Sequence, residues 1–142
     1  MAKPKGQQLM FSVNMFANTI VVDQMQVGIE NKLHIFGELE RLIGELIDLE
    51  PPEEVPTDEL DSFKNSLVLQ SLLDAINRQA QSGQAAFENA ENNFVDLAKS
   101  SPHLQNIIND YLTYYSSPKK LFEQMDNADE VAQVKHLASL IF

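Results

Sequence analysis

A heptad pattern over residues 69–97 constrains the fold more than any other feature of the chain. Its apolar and small residues recur at alternating steps of four and three: Leu69, Leu73, Ile76, Ala80, Gly83, Phe87, Ala90, Phe94 and Leu97. This spacing places all nine residues on one face of a helix, where a second helix can pack against them. The pattern therefore predicts one long helix over residues 58–99 that lies along a partner helix.

A second heptad pattern precedes it in residues 28–50 and supplies the partner. Its seven-residue spacing is set by Ile29, Phe36 and Ile43. Pro51, Pro52 and Pro56 then end the helix, and the short connection makes the two helices antiparallel neighbours. The fold expected is all-α: a long antiparallel helical hairpin, similar to a coiled coil, over residues 9–99, followed by three shorter helices over residues 102–142.

The expected domain organisation is one helical domain over residues 7–142 after a flexible tail of residues 1–6. Serine followed by proline at 101–102 and at 117–118 is typical of a helix start, and a third start follows Asn127. The apolar residues 9–27 extend the first arm of the hairpin. The sequence leaves open whether the arms break at Gly28 or at Gly83, although Gly83 lies on the heptad face, which favours close packing over a kink.

Composition and charge exclude several classes of function. The chain has no cysteine, which removes disulfides and thiolate chemistry. Its net charge of −11 disfavours nucleic acid as a partner, since nucleic acid carries charge of the same sign. No apolar run is long enough for a transmembrane segment, and none resembles a cleavable signal. We expect a cytoplasmic protein, with secretion lacking a cleavable signal left open.

Negative charge is concentrated in residues 30–61, where eleven acidic residues and two basic ones give a charge of −9. The densest part is a predicted acidic patch that consists of Glu45, Asp48, Glu50, Glu53, Glu54, Asp58 and Glu59. Such runs are usually solvated helix faces, but a concentrated patch can also bind a basic protein.

No local pattern indicates catalysis or a cofactor. Glu30, His34 and Glu38 share one helix face at a spacing that suits a divalent metal, but no second Glu-x-x-His helix completes a bundle site. A surface ladder of ion pairs explains these three residues better. No phosphate-binding glycine loop or catalytic triad spacing is present, so we expect no enzyme activity, no metal and no cofactor.

The remaining expectation is function through helix-to-helix contacts. A two-helix hairpin leaves many large apolar side chains uncovered, which favours self-association. The candidate contact residues are Phe11, Met15, Phe16, Ile20, Phe87, Phe94 and Phe142. The leading hypothesis is a non-enzymatic assembly or adaptor protein that forms homo-oligomers, with one further protein as an additional candidate partner. An acidic inhibitor or chaperone of a basic or hydrophobic protein is the alternative, and a helical-bundle enzyme or metal-binding protein ranks third.

Overall fold

Six α-helices build the part of the chain that this computed structural model describes, which is residues 5–22, 28–52, 55–116 and 127–142. The helices are α1 (Lys5–Val21), α2 (Ile29–Leu49), α3 (Leu60–Arg78), α4 (Gln84–Lys99), α5 (Pro102–Ser116) and α6 (Ala128–Ile141). Short 3₁₀ turns at Thr57–Glu59 and Gln79–Ser82 precede α3 and α4. No strand occurs within these ranges, so the all-α class expected from the sequence is confirmed.

The first predicted arm is two helices rather than one. Helix α1 ends at Val21, α2 begins at Ile29, and the two helices pack side by side. The buried face of α1 comprises Leu9, Val13, Ala17, Ile20 and Val21. Packing against α2 and α3 removes this face from water, which a straight continuation into α2 would not do. The hairpin with a continuous first arm is therefore not confirmed.

The second predicted arm is interrupted in the middle of the heptad pattern. Its first three members and its last three members are buried, but Ala80 and Gly83 are exposed. Gly83 has a φ of +112° and no atom within 4 Å of the position that a Cβ would occupy. The interpretation of Gly83 as a close-packing residue is therefore wrong, because this glycine forms the kink between α3 and α4.

Helix α3 lies at the centre of the fold and packs against α1, α2, α4 and α5. Its buried apolar residues are Val68, Leu69, Leu72, Leu73, Ala75 and Ile76. At its amino-terminal end, the side chains of Ser62 and Asn65 donate hydrogen bonds to the Asp110 carboxylate, at 3.4 and 3.1 Å. Because Asp110 lies near the middle of α5, these hydrogen bonds join the start of α3 to the middle of α5.

The carboxy-terminal helices begin where the sequence indicates. Ser101 accepts a hydrogen bond from the Leu104 backbone N–H through its Oγ at 3.1 Å, and Pro102 is the first residue of α5. Helix α6 begins directly after Asn127. The helix expected over residues 118–125 lies outside the described residues. At the other end of the chain, α1 begins at Lys5, inside the segment expected to be a tail.

Candidate functional site

Two exposed apolar side chains of α1 lie opposite its buried face. Phe11 is 65% exposed and Met15, one turn further along, is 47% exposed. They are separated by one helical turn and therefore lie on the same side of the helix. We call this pair the α1 patch. Both residues are among the candidates that the sequence indicated.

Two further candidates from the same segment have a different environment. Ile20 is completely buried within a single chain, and Phe16 is partly buried against the core. Ile20 therefore contributes to folding and offers no surface to a partner. Because α2, α3 and α4 all contact α1, the exposed apolar stripe of this helix is narrower than the sequence suggested.

The last three candidates lie on α4 and at the carboxy-terminal end of the sequence. Phe94 is 1% exposed and belongs to the core, whereas Phe87 is only partly buried. Phe142 is 60% exposed, and nearby Leu140 is also exposed. Of the aromatic candidates, only Phe11 and Phe142 are therefore highly exposed.

The predicted acidic patch divides into paired and open carboxylates. Arg41 lies between Glu38 and Glu45 on α2 and contacts their carboxylates at 2.9 and 2.6 Å. Asp48, Glu50 and Asp58 are exposed, and Glu59 is partly buried. Glu53 and Glu54 lie outside the described residues. The exposed carboxylates in the described part of this patch are therefore those of Asp48, Glu50 and Asp58.

The possible metal ligands of α2 do not form a centre. No group of three or more histidine, aspartate or glutamate side chains in the described ranges has the arrangement that would hold a metal ion. His103, near the start of α5, contacts Glu40 at 2.8 Å and packs edge-on against Phe36. This contact joins the start of α5 to α2. None of the helices in the described ranges combines the length and apolarity needed to cross a membrane.

A groove of about 560 Å³ lies among α1, α2, α3 and α6, and no sequence pattern pointed to it. Its apolar surface comes from the side chains of Met10, Val13, Ile43, Leu46, Leu67 and Leu73. Val13, Ile43 and Leu73 are buried residues of the core, so they form a fixed floor. Met10 is about half exposed and lies at the edge.

The side of the groove formed by α3 and α6 is polar. Asn77 and Gln133 exchange two hydrogen bonds through their amides, at 3.1 and 2.8 Å, and so join the two helices. Three carboxylates, those of Asp74, Asp129 and Glu130, also line this side. These residues come from segments far apart in the sequence, which explains why no local spacing indicated them.

Glu130 is held by a buried tyrosine. The Tyr111 hydroxyl on α5 donates a hydrogen bond to Glu130 Oε2 at 2.7 Å. Burial raises the pKa of the Tyr111 phenol well above its usual value, and the hydrogen bond and negative charge of Glu130 raise it further. Tyr111 therefore stays neutral at physiological pH and fixes the Glu130 carboxylate without neutralising it.

Comparisons of this chain with protein-family models, with curated proteins and with solved structures found no match.

Proposed function

We propose that this chain is a non-enzymatic helical assembly or adaptor protein of the cytoplasm that associates with a second copy of itself through α1. The α1 patch is the observation that carries the proposal. Two large apolar side chains, Phe11 and Met15, stay exposed on a helix whose opposite face is fully packed. Exposed apolar residues that lie together are typical of protein contact sites.

The charge distribution supports a second copy as the occupant. Among the six described helices, α1 alone contains no aspartate or glutamate. Two copies that each carry a net charge of −11 repel one another, so contact is least unfavourable through their least acidic surfaces. A two-fold arrangement would bring the α1 patches of both copies together.

The expected association is weak to moderate. Covering Phe11 and Met15 in both copies contributes about 3–7 kcal/mol before the cost of association, because each side chain is already partly covered in the monomer. Leu140 and Phe142 would add to this value if they share the contact. Since a micromolar dissociation constant requires about 8 kcal/mol after the cost of association, we expect this contact alone to be weak, with the mass rising only toward the millimolar range.

The test is the effect of charge at the α1 patch on mass in solution. We expect Phe11→Glu or Met15→Glu to keep the helical content and to lower the mass measured by light scattering to that of one chain. Burying a carboxylate at an apolar contact without a partner opposes association by several kcal/mol. The measurement covers the widest accessible concentration range for the wild type and for both variants.

The matched control is Asn106→Glu, which adds the same charge at an exposed position of α5. This variant should associate nearly as strongly as the wild type. A wild-type mass of one chain at all concentrations would exclude self-association. An equal loss of association in the control and the α1 variants would assign the effect to net charge rather than to the α1 patch.

A second candidate function is an acidic inhibitor or chaperone that binds a basic protein. It is supported by the exposure of Asp48, Glu50 and Asp58 near the junction of α2 and α3. Exposed carboxylates of one sign speed the encounter with a basic partner, and the effect weakens as salt screens the charges.

This candidate predicts binding that depends on salt and on these carboxylates. Asp48→Asn combined with Glu50→Gln should weaken capture of basic proteins from lysate at low salt by about tenfold. The double variant Glu88→Gln with Asp96→Asn removes the same charge from exposed positions of α4 and serves as the control. Equal weakening by both double variants would show that only the total charge matters. If no protein is captured in a salt-dependent manner, the inhibitor function is excluded.

A further inference from the structure

The groove among α1, α2, α3 and α6 has the size and wall chemistry of a site for a small organic molecule. Its volume of about 560 Å³ falls within the usual range for such sites, roughly 300–1,000 Å³. A neighbouring depression of about 390 Å³ shares Met10 and Leu46 with it and extends toward Glu50. An alkyl chain longer than the groove would therefore find more apolar surface to follow.

Hydrogen bonds link the residues that form the polar wall of the groove. The paired amides of Asn77 and Gln133 join α3 to α6 on one side, and the Tyr111 hydroxyl holds Glu130 in place. On the floor, Val13, Ile43 and Leu73 belong to the core. A preformed site loses little conformational freedom on binding, which favours affinity for a small ligand.

The charge of the groove selects the sign of its ligand. Asp74, Asp129 and Glu130 line it, whereas the described lining residues include neither lysine nor arginine. Arg78, outside the lining, contacts Asp74 at 2.9 Å and offsets one of the three charges. Among the described residues, no basic side chain forms an ion pair with Asp129 or Glu130. The polar wall therefore carries net negative charge beside an apolar floor.

We propose that this groove binds a small organic cation, with an alkyl or aryl body on the apolar floor and a protonated amine beside Asp129 and Glu130. The carboxylates disfavour fatty acids and other anionic amphiphiles through like-charge repulsion. The apolar floor disfavours polyamines, since it would desolvate their charges without pairing them. The ligand therefore needs both an apolar body and a protonated amine. This inference does not depend on self-association through α1.

Three ligands with the same alkyl chain isolate the contribution of charge. Octylamine is protonated at neutral pH, octanol is neutral and octanoate is anionic. We expect calorimetric titration at low salt to show octylammonium binding at least about tenfold more tightly than octanoate, with octanol between them, and to show this preference shrink as salt is added. Methyl NMR signals of Leu46 and Leu67 should shift in the same titration and place the ligand in the groove.

Variants that replace each carboxylate by an amide of the same shape test whether the negative charge contributes to binding. Asp129→Asn combined with Glu130→Gln should weaken octylammonium binding by about tenfold and leave octanol binding unchanged. The Glu130→Gln change should keep the contact with Tyr111, because the oxygen of the new amide still accepts the hydrogen bond. Glu88→Gln with Asp96→Asn, on α4, is the control and should leave both affinities unchanged.

Four results would overturn the proposal. Three of them are equal affinity for octylammonium and octanoate, unchanged affinity in the Asp129 and Glu130 double variant, and methyl shifts that fall outside the groove. Absence of octylammonium binding up to its solubility limit would overturn it as well. Since none of these measurements reports on mass in solution, failure here is distinguishable from failure of the proposed self-association.

Discussion

Phe94→Ala is expected to lower the free energy of unfolding by about 3–5 kcal/mol, because it removes a buried aromatic ring and leaves a cavity. Phe94 is 1% exposed and belongs to the core to which all six helices contribute. A domain of ordinary stability has only about 5–15 kcal/mol in total, so the variant should be close to unfolding at 37 °C. Urea unfolding followed by circular dichroism, at one fixed protein concentration, measures the change.

Phe87→Ala is the matched control for this variant. Phe87 lies two turns before Phe94 on the same helix and on the same heptad face, but it is only partly buried. We expect a loss of about 1–2 kcal/mol for Phe87→Ala. Similar losses for both variants would mean that the heptad face is packed evenly along its length. A loss below about 1 kcal/mol for Phe94→Ala would contradict the assignment of Phe94 to the core.

The contrast between the two phenylalanines shows how far the heptad pattern predicts the fold. The pattern identified the helical class and the buried residues at both of its ends, such as Leu69 and Leu97. It did not predict the exposed middle, since the same spacing suits a continuous helix and two helices that meet at a kink. Which of these forms depends on the packing of α4 against helices distant in the sequence, and a local pattern does not contain that information.

For the candidate contact residues, too, the sequence identifies the apolar segment but not which of its side chains are covered. Phe11 and Ile20 belong to one apolar segment, and both are equally plausible contact residues by composition. Only the positions of α2, α3 and α4 determine that Ile20 is covered and Phe11 is exposed. The groove is harder to predict from the sequence than these surfaces, because its floor and its carboxylates come from four helices. Its only local signal is the acidic start of α6, which also has an ordinary explanation as favourable charge at a helix amino terminus.

Gly83→Ala is expected to destabilise the protein by about 1–3 kcal/mol. With φ at +112° and ψ at 165°, Gly83 adopts a conformation that is nearly restricted to glycine, so the strain comes from the backbone and not from a collision. The conformation allows the Gly83 N–H to donate to the Ala80 carbonyl while the Gly83 carbonyl accepts from the Phe87 N–H, each at 3.2 Å. One residue thus ends the 3₁₀ turn and begins α4.

Gly37→Ala supplies a control of opposite sign. Gly37 lies in the interior of α2, is exposed, and has no atom within 4 Å of the position of an added Cβ, which also means that no helix packs closely against it. Alanine there should stabilise the protein by about 0.5–1 kcal/mol, since it reduces the freedom of the unfolded chain and suits a helix better. The two variants make the same chemical change, and chemical unfolding should move their midpoints in opposite directions. If Gly83→Ala were instead stabilising to the same degree as Gly37→Ala, residues 79–83 would be an ordinary helical segment, and the continuous second arm indicated by the heptad pattern would be the correct description.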